Sequence, residues 1–187
     1  MQIIRFSELI EIPWKNGGGI TRDISSACVN GTLIWRISMA DVEHDGPFSE
    51  FYGLVRILTV VRGKGMVLES QDINLQADPR HPVRFDGSTQ IRARLKSGAS
   101  SNLNVMYDPA HCDADVSVVE GLHQEFIAPD RTKDIAVHCI RGTTGLNADT
   151  TLQPGDTAML KGEPTNLTME TGDTALRIRI SHHTFSA

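Results

Sequence analysis

Residues 60–87 (VVRGKGMVLESQDINLQADPRHPVRFDG) and 139–163 (CIRGTTGLNADTTLQPGDTAMLKGE) share one order: apolar strand, Arg-Gly turn, strand, proline-containing turn, strand, turn. Two similar units in one chain point to a duplicated architecture. A hairpin unit of this kind leaves strand edges open and one apolar face uncovered. The stable solution is a barrel or sandwich, built twice. Val, Ile and Thr number 12, 16 and 15 of the 187 residues, while aromatics make up 5%. Branched side chains of this kind suit a pleated surface, so the expected fold is all-β.

The strand pattern can be traced along the chain. Residues 34–40 alternate, with Trp35, Ile37 and Met39 on one face and Arg36, Ser38 and Ala40 on the other. Residues 54–61 read as a buried strand, 62–65 as the tight turn after it and 66–70 as the returning strand. Residues 91–95 and 103–107 complete this half. In the second half, strands are expected at 134–140, within 151–160, at 167–170 and at 175–180. Along the last, Leu176, Ile178 and Ile180 face inward and Arg177 and Arg179 outward. Residues 6–12 fit one helical turn or a strand, and 46–53 a loop with aromatic anchors. Residues 108–133 read as a crossing segment with a strand at VSVVEG. The implied domains are 1–108 and 109–187, with terminal strands able to exchange between barrels.

Eighteen basic and 23 acidic residues give a net charge of −5, which argues against a general nucleic-acid or anionic-membrane binder. Basic residues concentrate in 51–100 and acidic ones in 101–160, consistent with an anion-binding first half or an uneven solvated surface. Cys28, Cys112 and Cys139 are odd in number and far apart, without zinc spacing. Reduced thiols and a cytoplasmic location are expected. Arg5, Glu8 and Glu11 interrupt any signal-peptide core, and no run of 18 apolar residues occurs.

The densest chemistry lies at Pro13-Trp14-Lys15-Asn16-Gly17-Gly18-Gly19-Ile20-Thr21-Arg22. Three consecutive glycines mark close approach or unusual dihedrals. Around them stand an indole, an amine, an amide and a guanidinium. Arg22 suits a bidentate carboxylate, Lys15 supplies a point charge and Asn16 orientation. No phosphate-loop pattern is present. The segment equally fits a glycine loop whose Trp14 closes a barrel end, with Lys15 and Arg22 solvated. If the Trp35 face packs between layers, Arg36 and Ser38 look into the barrel cavity. A cavity-facing arginine needs a carboxylate, from the protein or from a ligand. Arg56, inside an apolar strand, and Asn104, between Leu103 and Val105, raise the same question. Catalytic sets are thin: no HxH, HExxH or GxSxG occurs among the seven histidines and the serines. Asp41, Glu43, Asp45 and Glu50 form an acidic loop that fits solvation better than acid–base work.

Four blocks carry a family resemblance: residues 13–24, 35–68, 83–87 and 103–108. On these, nearly the whole chain resembles the HutD/Ves family of small bacterial proteins. The resemblance implies a bicupin, two double-stranded β-helix (RmlC-like jelly-roll) barrels. It carries family motif positions onto Trp14, Lys15, Asn16, Gly17, Gly18 and Thr21. Further positions are Arg22, Trp35, Arg36, Ser38, Pro47 and Phe48, with Arg56 and Asn104. Relatives often have Phe-Pro-Gly where this chain has Phe51-Tyr52-Gly53, and Asp-Phe-Asn where it has Asn102-Leu103-Asn104. Metal cupins carry paired histidines and a glutamate in a fixed pattern. Residues 46–63 contain no histidine, and none lies between His81 and His111.

The expectation is a metal-free, cofactor-free bicupin that binds a small carboxylate. By the resemblance this is a histidine-degradation intermediate such as urocanate or formylglutamate, bound in a regulatory, flux-moderating role. The expected ligand residues are Trp14, Lys15, Asn16, Arg22, Arg36, Ser38, Arg56 and Asn104. An isomerase or hydrolase acting on such an intermediate, and a structural or interaction module, are the alternatives. A homodimer is plausible through the outer sheets.

Overall fold

A computed structural model describes residues 1–183. The chain enters through β1 (Gln2–Ile4), a single 3-10 turn (Phe6–Glu8) and β2 (Glu11–Pro13), then two long strands, β3 (Gly19–Val29) and β4 (Thr32–Val42). Next come β5 (Gly46–Pro47), β6 (Val55–Arg62), β7 (Met66–Glu69), β8 (Asn74–Ala77) and β9 (Val83–Asp86). β10 (Arg92–Leu95) and β11 (Ser100–Tyr107) end the first run, and β12 (Cys112–Glu120) and β13 (His123–Ile127) come after it. The remainder holds β14 (Lys133–Arg141), β15 (Thr144–Leu146), β16 (Thr150–Leu152), β17 (Thr157–Met159), β18 (Thr165–Met169) and β19 (Thr174–His182).

Two compact units result, Ile10–Cys112 and Met1–Leu9 together with the chain from Asp113 onward. In the first, a sheet ordered β2-β3-β4-β11-β6-β9 and a sheet ordered β5-β10-β7-β8 share one core. Leu58 and Val60 from the larger sheet meet Met66, Leu68 and Ala93 from the smaller. In the second, the sheets are ordered β1-β17-β14-β19-β12 and β13-β18-β15-β16. There Val137 and Cys139 meet Leu146, Leu152 and Leu167. Alternating apolar residues drive both cores, because every second side chain of a strand faces the opposing sheet.

The duplication read in the sequence is structural. The smaller sheets have matching orders, and β4, β11, β6 and β9 correspond in order to β12, β19, β14 and β17. The long ladders even share an irregularity. In β11–β6, Ser101 pairs with Arg62 and Asn102 with Val60, skipping Val61. In β14–β19, Thr174 pairs with Arg141 and Ala175 with Cys139, skipping Ile140. A bulge bends its strand and is a designed feature of a sheet, so its repetition at the Arg-Gly turn fixes the equivalence residue by residue. The units differ in what is added: β2 and β3 extend beside β4, whereas β1 extends beside β17.

Two expectations need amending. Residues 19–29 carry the last glycine of the expected loop, yet they form one of the two longest strands. The crossing segment is mostly strand, β12 and β13.

Candidate functional site

The first unit holds a cavity of about 530 Å³. The parity of β4 presents Arg36, Ser38 and Ala40 to it, while Trp35, Ile37 and Met39 are buried on the other face. β11 adds Asn102, Asn104 and Met106, and β6 adds Arg56. Across the ladders Ser38 pairs with Asn104, and Arg36 and Arg56 both pair with Met106. Period-2 alternation thus gathers these side chains on one face.

The glycine segment forms the mouth. Gly17 turns the chain at φ 67°, which favours glycine. Gly19 lies so close to β4 that a Cβ there would stand 2.2 Å from the Asp41 carbonyl oxygen. The Gly18 N–H donates to Asn16 Oδ1 at 3.0 Å, and Asn16 Nδ2 reaches the Pro47 carbonyl at 3.5 Å. Trp14 is fixed by its indole N–H on Thr21 Oγ1 at 2.7 Å and by an edge contact with Phe48, centroids 5.7 Å apart. Trp14, Lys15 and Asn16 all line the cavity.

Arg56 defines the floor. It is 5% exposed, yet no carboxylate pairs with it among the described residues. Its Nη2 donates to Asn104 Oδ1 at 3.1 Å and its Nη1 to the Ser49 carbonyl at 3.2 Å. The guanidinium carbon lies 5.5, 5.3 and 5.0 Å from the ring centroids of Phe48, Phe51 and Phe85. Asn104 in turn donates from Nδ2 to Asn102 Oδ1. The ends of this chain are open donors: Arg56 Nε and Asn102 Nδ2 are buried with no acceptor. Burial, with a smaller push from Arg36, lowers the Arg56 pKa to about 10, so the group is still charged at neutral pH. Arg36 stands nearer the rim and is held by Asp23, which accepts from Nε at 2.7 Å and from Nη2.

Seven of the eight expected ligand residues therefore line one cavity. Arg22 does not. It is 6% exposed, and its guanidinium bridges Asp41, at 2.7 Å, and Glu11, tying β2 and β4 to β3. Burial acts against its charge, but the hydrogen bonds it donates to Asp41 and Glu11 outweigh this and its pKa is raised. Asp41 is likewise opposed by burial and lowered on balance by Ser101 and Arg22. The β3 ladder explains the placement, since Arg22 pairs with Met39, whose face is turned from the cavity. Reading 13–22 as a loop hides this parity. Residue-level reading also passes over Phe51, Met106 and the amide of Asn102 as lining. The aromatic loop 46–53 and the Asn-x-Asn alternation of β11 are the available signals.

None of the lining residues is His, Cys, Asp or Glu, and no group of three or more such side chains could hold a metal among the described residues. The cavity offers cations, amides, hydroxyls and aromatic faces, a set suited to an anion rather than a divalent cation. No described helix is long and apolar enough to cross a membrane.

Comparison with known proteins places this geometry. A structure of HutD from Pseudomonas fluorescens SBW25, in a formate condition, is 27% identical, with a TM-score of 0.83 over 98% of this chain and 99% of that one. Protein YlbA from Escherichia coli shares the fold at 7% identity, with a TM-score of 0.75, covering 99% and 92%. An uncharacterized 21.2 kDa protein in the hutC 3′ region of Pseudomonas putida is 34% identical over 129 residues. That match spans 65% of each chain. The all-β architecture is the expected bicupin, and the sequence model of the HutD family matches residues 7–177, taking in both barrels and the whole cavity. The chain belongs to the HutD family.

Proposed function

We propose that the first barrel is a receptor for a small carboxylate metabolite, a histidine-degradation intermediate such as urocanate or formylglutamate. Binding moderates pathway flux rather than turning the ligand over. The observation that carries this reading is the Arg56 guanidinium, buried and charged without a carboxylate. An unpaired buried ion costs several kcal/mol. Three phenylalanine faces offset part of that, at about 0.5–2 kcal/mol each. The open groups beside it, Arg56 Nε and Asn102 Nδ2, are donors only. Their complement is an acceptor-only group, which a carboxylate is. Trp14 and Phe48 supply flat apolar surface at the mouth for a planar ligand body, and Lys15 and Arg36 add positive potential there.

Binding is favoured over catalysis because no lining side chain is a general base at neutral pH: imidazoles, thiols and carboxylates are absent from the lining. Membership in a hut-associated family supports the flux-moderating role.

Calorimetry with urocanate, formylglutamate and glutamate tests the reading. Saturable 1:1 binding of at least one of them, lost in Arg56→Ala, is expected. Heat-silent titrations with all three, or equal affinity in the variant, would overturn it. Turnover of any of the three would favour the enzyme alternative.

A further inference from the structure

We infer that the second barrel carries a separate, smaller site for an oxyanion, held by Arg179 and Arg177 of β19 and Lys133 of β14. It goes beyond the carboxylate reading of the first barrel and does not depend on it.

The shared bulge makes the equivalence quantitative in register. Arg56 pairs with Met106 and Leu58 with Asn104 in the first ladder. Counting from the bulge, Ile135 pairs with Arg179 and Val137 with Arg177 in the second. The arginine has moved across the ladder, from the β6 position to the strand equivalent to β11, but it occupies the same rung. The rung equivalent to Asn104 now also holds an arginine. At this place the second unit has its own cavity, of about 280 Å³, lined by Lys133, Ile135, Arg177 and Arg179. The sequence pattern places both arginines outward. They instead line this cavity, because Leu176, Ile178 and Ile180 are buried on the opposite face.

Charge accounting then leaves an excess. Two carboxylates line the cavity, Glu125 and Asp130. Glu125 takes Arg177 Nη1, and Asp130 takes Lys133 Nζ at 2.6 Å. Arg177 Nε is buried without an acceptor, and Arg179 has no ion pair among the described residues. One guanidinium without an ion pair therefore lines a small concavity whose carboxylates are already engaged, and an orphaned N–H of Arg177 is buried in its wall. Its size fits a compact oxyanion such as phosphate, sulfate or formate, whose oxygens can accept from both arginines at once.

The test uses the full chain and inorganic phosphate as the probe, with formate as a second arm to separate tetrahedral from planar anions. Arg56→Met silences the first barrel. In that background, phosphate or formate is expected to bind saturably at one equivalent, with amide shifts in an NMR titration centred on residues 133–135 and 177–179. Arg179→Ala should weaken this at least tenfold, whereas Arg179→Lys should recover most of it. Arg131→Ala, an exposed charge outside the cavity, is the control for diffuse attraction. Loss of all anion binding in Arg56→Met would overturn the second site. So would shifts centred elsewhere, or an effect of Arg131→Ala equal to that of Arg179→Ala. Arg179 is half-buried and has no ion pair to lose, so its replacement is expected to leave the fold intact, which near-UV circular dichroism checks.

Discussion

The two barrels keep one scaffold and divide its charges differently. Both place a cation on the same rung of the ladder beyond the bulge. In the first barrel the guanidinium is 5% exposed, ringed by phenylalanines, and faces a cavity with no carboxylate in its lining. In the second the cations are half-buried and mostly neutralised by Glu125 and Asp130. Backbone hydrogen bonding tolerates this divergence because the ladder and its bulge do not depend on which side chains fill the inner face. The first barrel thus leaves a charge for a guest to complete, and the second completes most of its own.

The sharpest way to break the comparison is at the strands each barrel adds. Arg22 anchors β2 and β3 with a side chain that is 8% exposed, between Glu11 and Asp41. Arg5, with 41% of its side chain exposed, lies just after β1 in the second unit and pairs with Asp156 at 2.7 Å. Arg22→Ala strands Asp41 beside one hydroxyl and a distant Arg62, and should cost about 3–5 kcal/mol in urea unfolding. Arg5→Ala leaves Asp156 its backbone donors from Phe6 and Gln153 and should cost about 1 kcal/mol. Equal losses would remove the asymmetry claimed for the two edges.

One rung nearer the bulge than Arg177 and Asn104, Thr59 in the first ladder corresponds to His138 in the second. Burial holds the His138 pKa at about 4 against an ordinary 6.5, with Asp156 opposing, and Nδ1 meets Thr157 Oγ1 at 2.9 Å. Well above pH 6.5 neither folded nor unfolded imidazole is charged, so the residue contributes no slope there. Between 6.5 and 4 only the unfolded form takes a proton, and stability falls by up to about 3 kcal/mol. His138→Thr, which copies the first barrel, should flatten that part of the pH–stability profile. An unchanged slope between pH 6.5 and 4 would show that the acid sensitivity lies elsewhere.

Parity decides how much of this is readable from the sequence. Where a strand alternates visibly, as at 34–40, the cavity face is legible down to Arg36 and Ser38. The repeat is legible because its Arg-Gly turn punctuates both halves, and the bulge sits at that turn. β3 is not, because Gly17-Gly18-Gly19 reads as a loop while Gly19 in fact begins a strand whose backbone lies against β4. Arg22 therefore groups with its neighbours in sequence rather than on its own face. The arginines of β19 escape for another reason. Alternation shows which residues share a face, but only the packing of both faces decides whether the polar one meets solvent or a cavity.

Arg56 itself should separate stability from binding. Arg56→Met replaces a buried, unpaired ion with an apolar side chain of similar length. The unliganded protein should be at least as stable, by about 1 kcal/mol or more, while carboxylate affinity falls at least 100-fold, about 2.7 kcal/mol. Arg179→Met should shift stability by no more than about 0.5 kcal/mol, since that group is only half-buried and has no ion pair to lose. A marked loss of stability in Arg56→Met would mean that its two hydrogen bonds and three ring contacts already satisfy it, and the receptor reading would lose its main support.

The smallest effect belongs to Arg36. Its charge sits at the rim, its side chain is 21% exposed, and Asp23, 52% exposed, already accepts from it twice. An exposed pair of this kind contributes about 0.2–1 kcal/mol to stability. For the ligand it acts through the field at the mouth, so Arg36→Ala should slow association several-fold and leave the dissociation rate unchanged. That slowing should shrink as salt is raised toward 0.5 M, because the Debye length then falls to roughly 4 Å. Stopped-flow fluorescence of Trp14 would report both rates. A change confined to dissociation would instead place Arg36 in direct contact with the bound carboxylate, and the first barrel would then grip its ligand with two guanidinium groups where the second is proposed to do the same through Arg177 and Arg179.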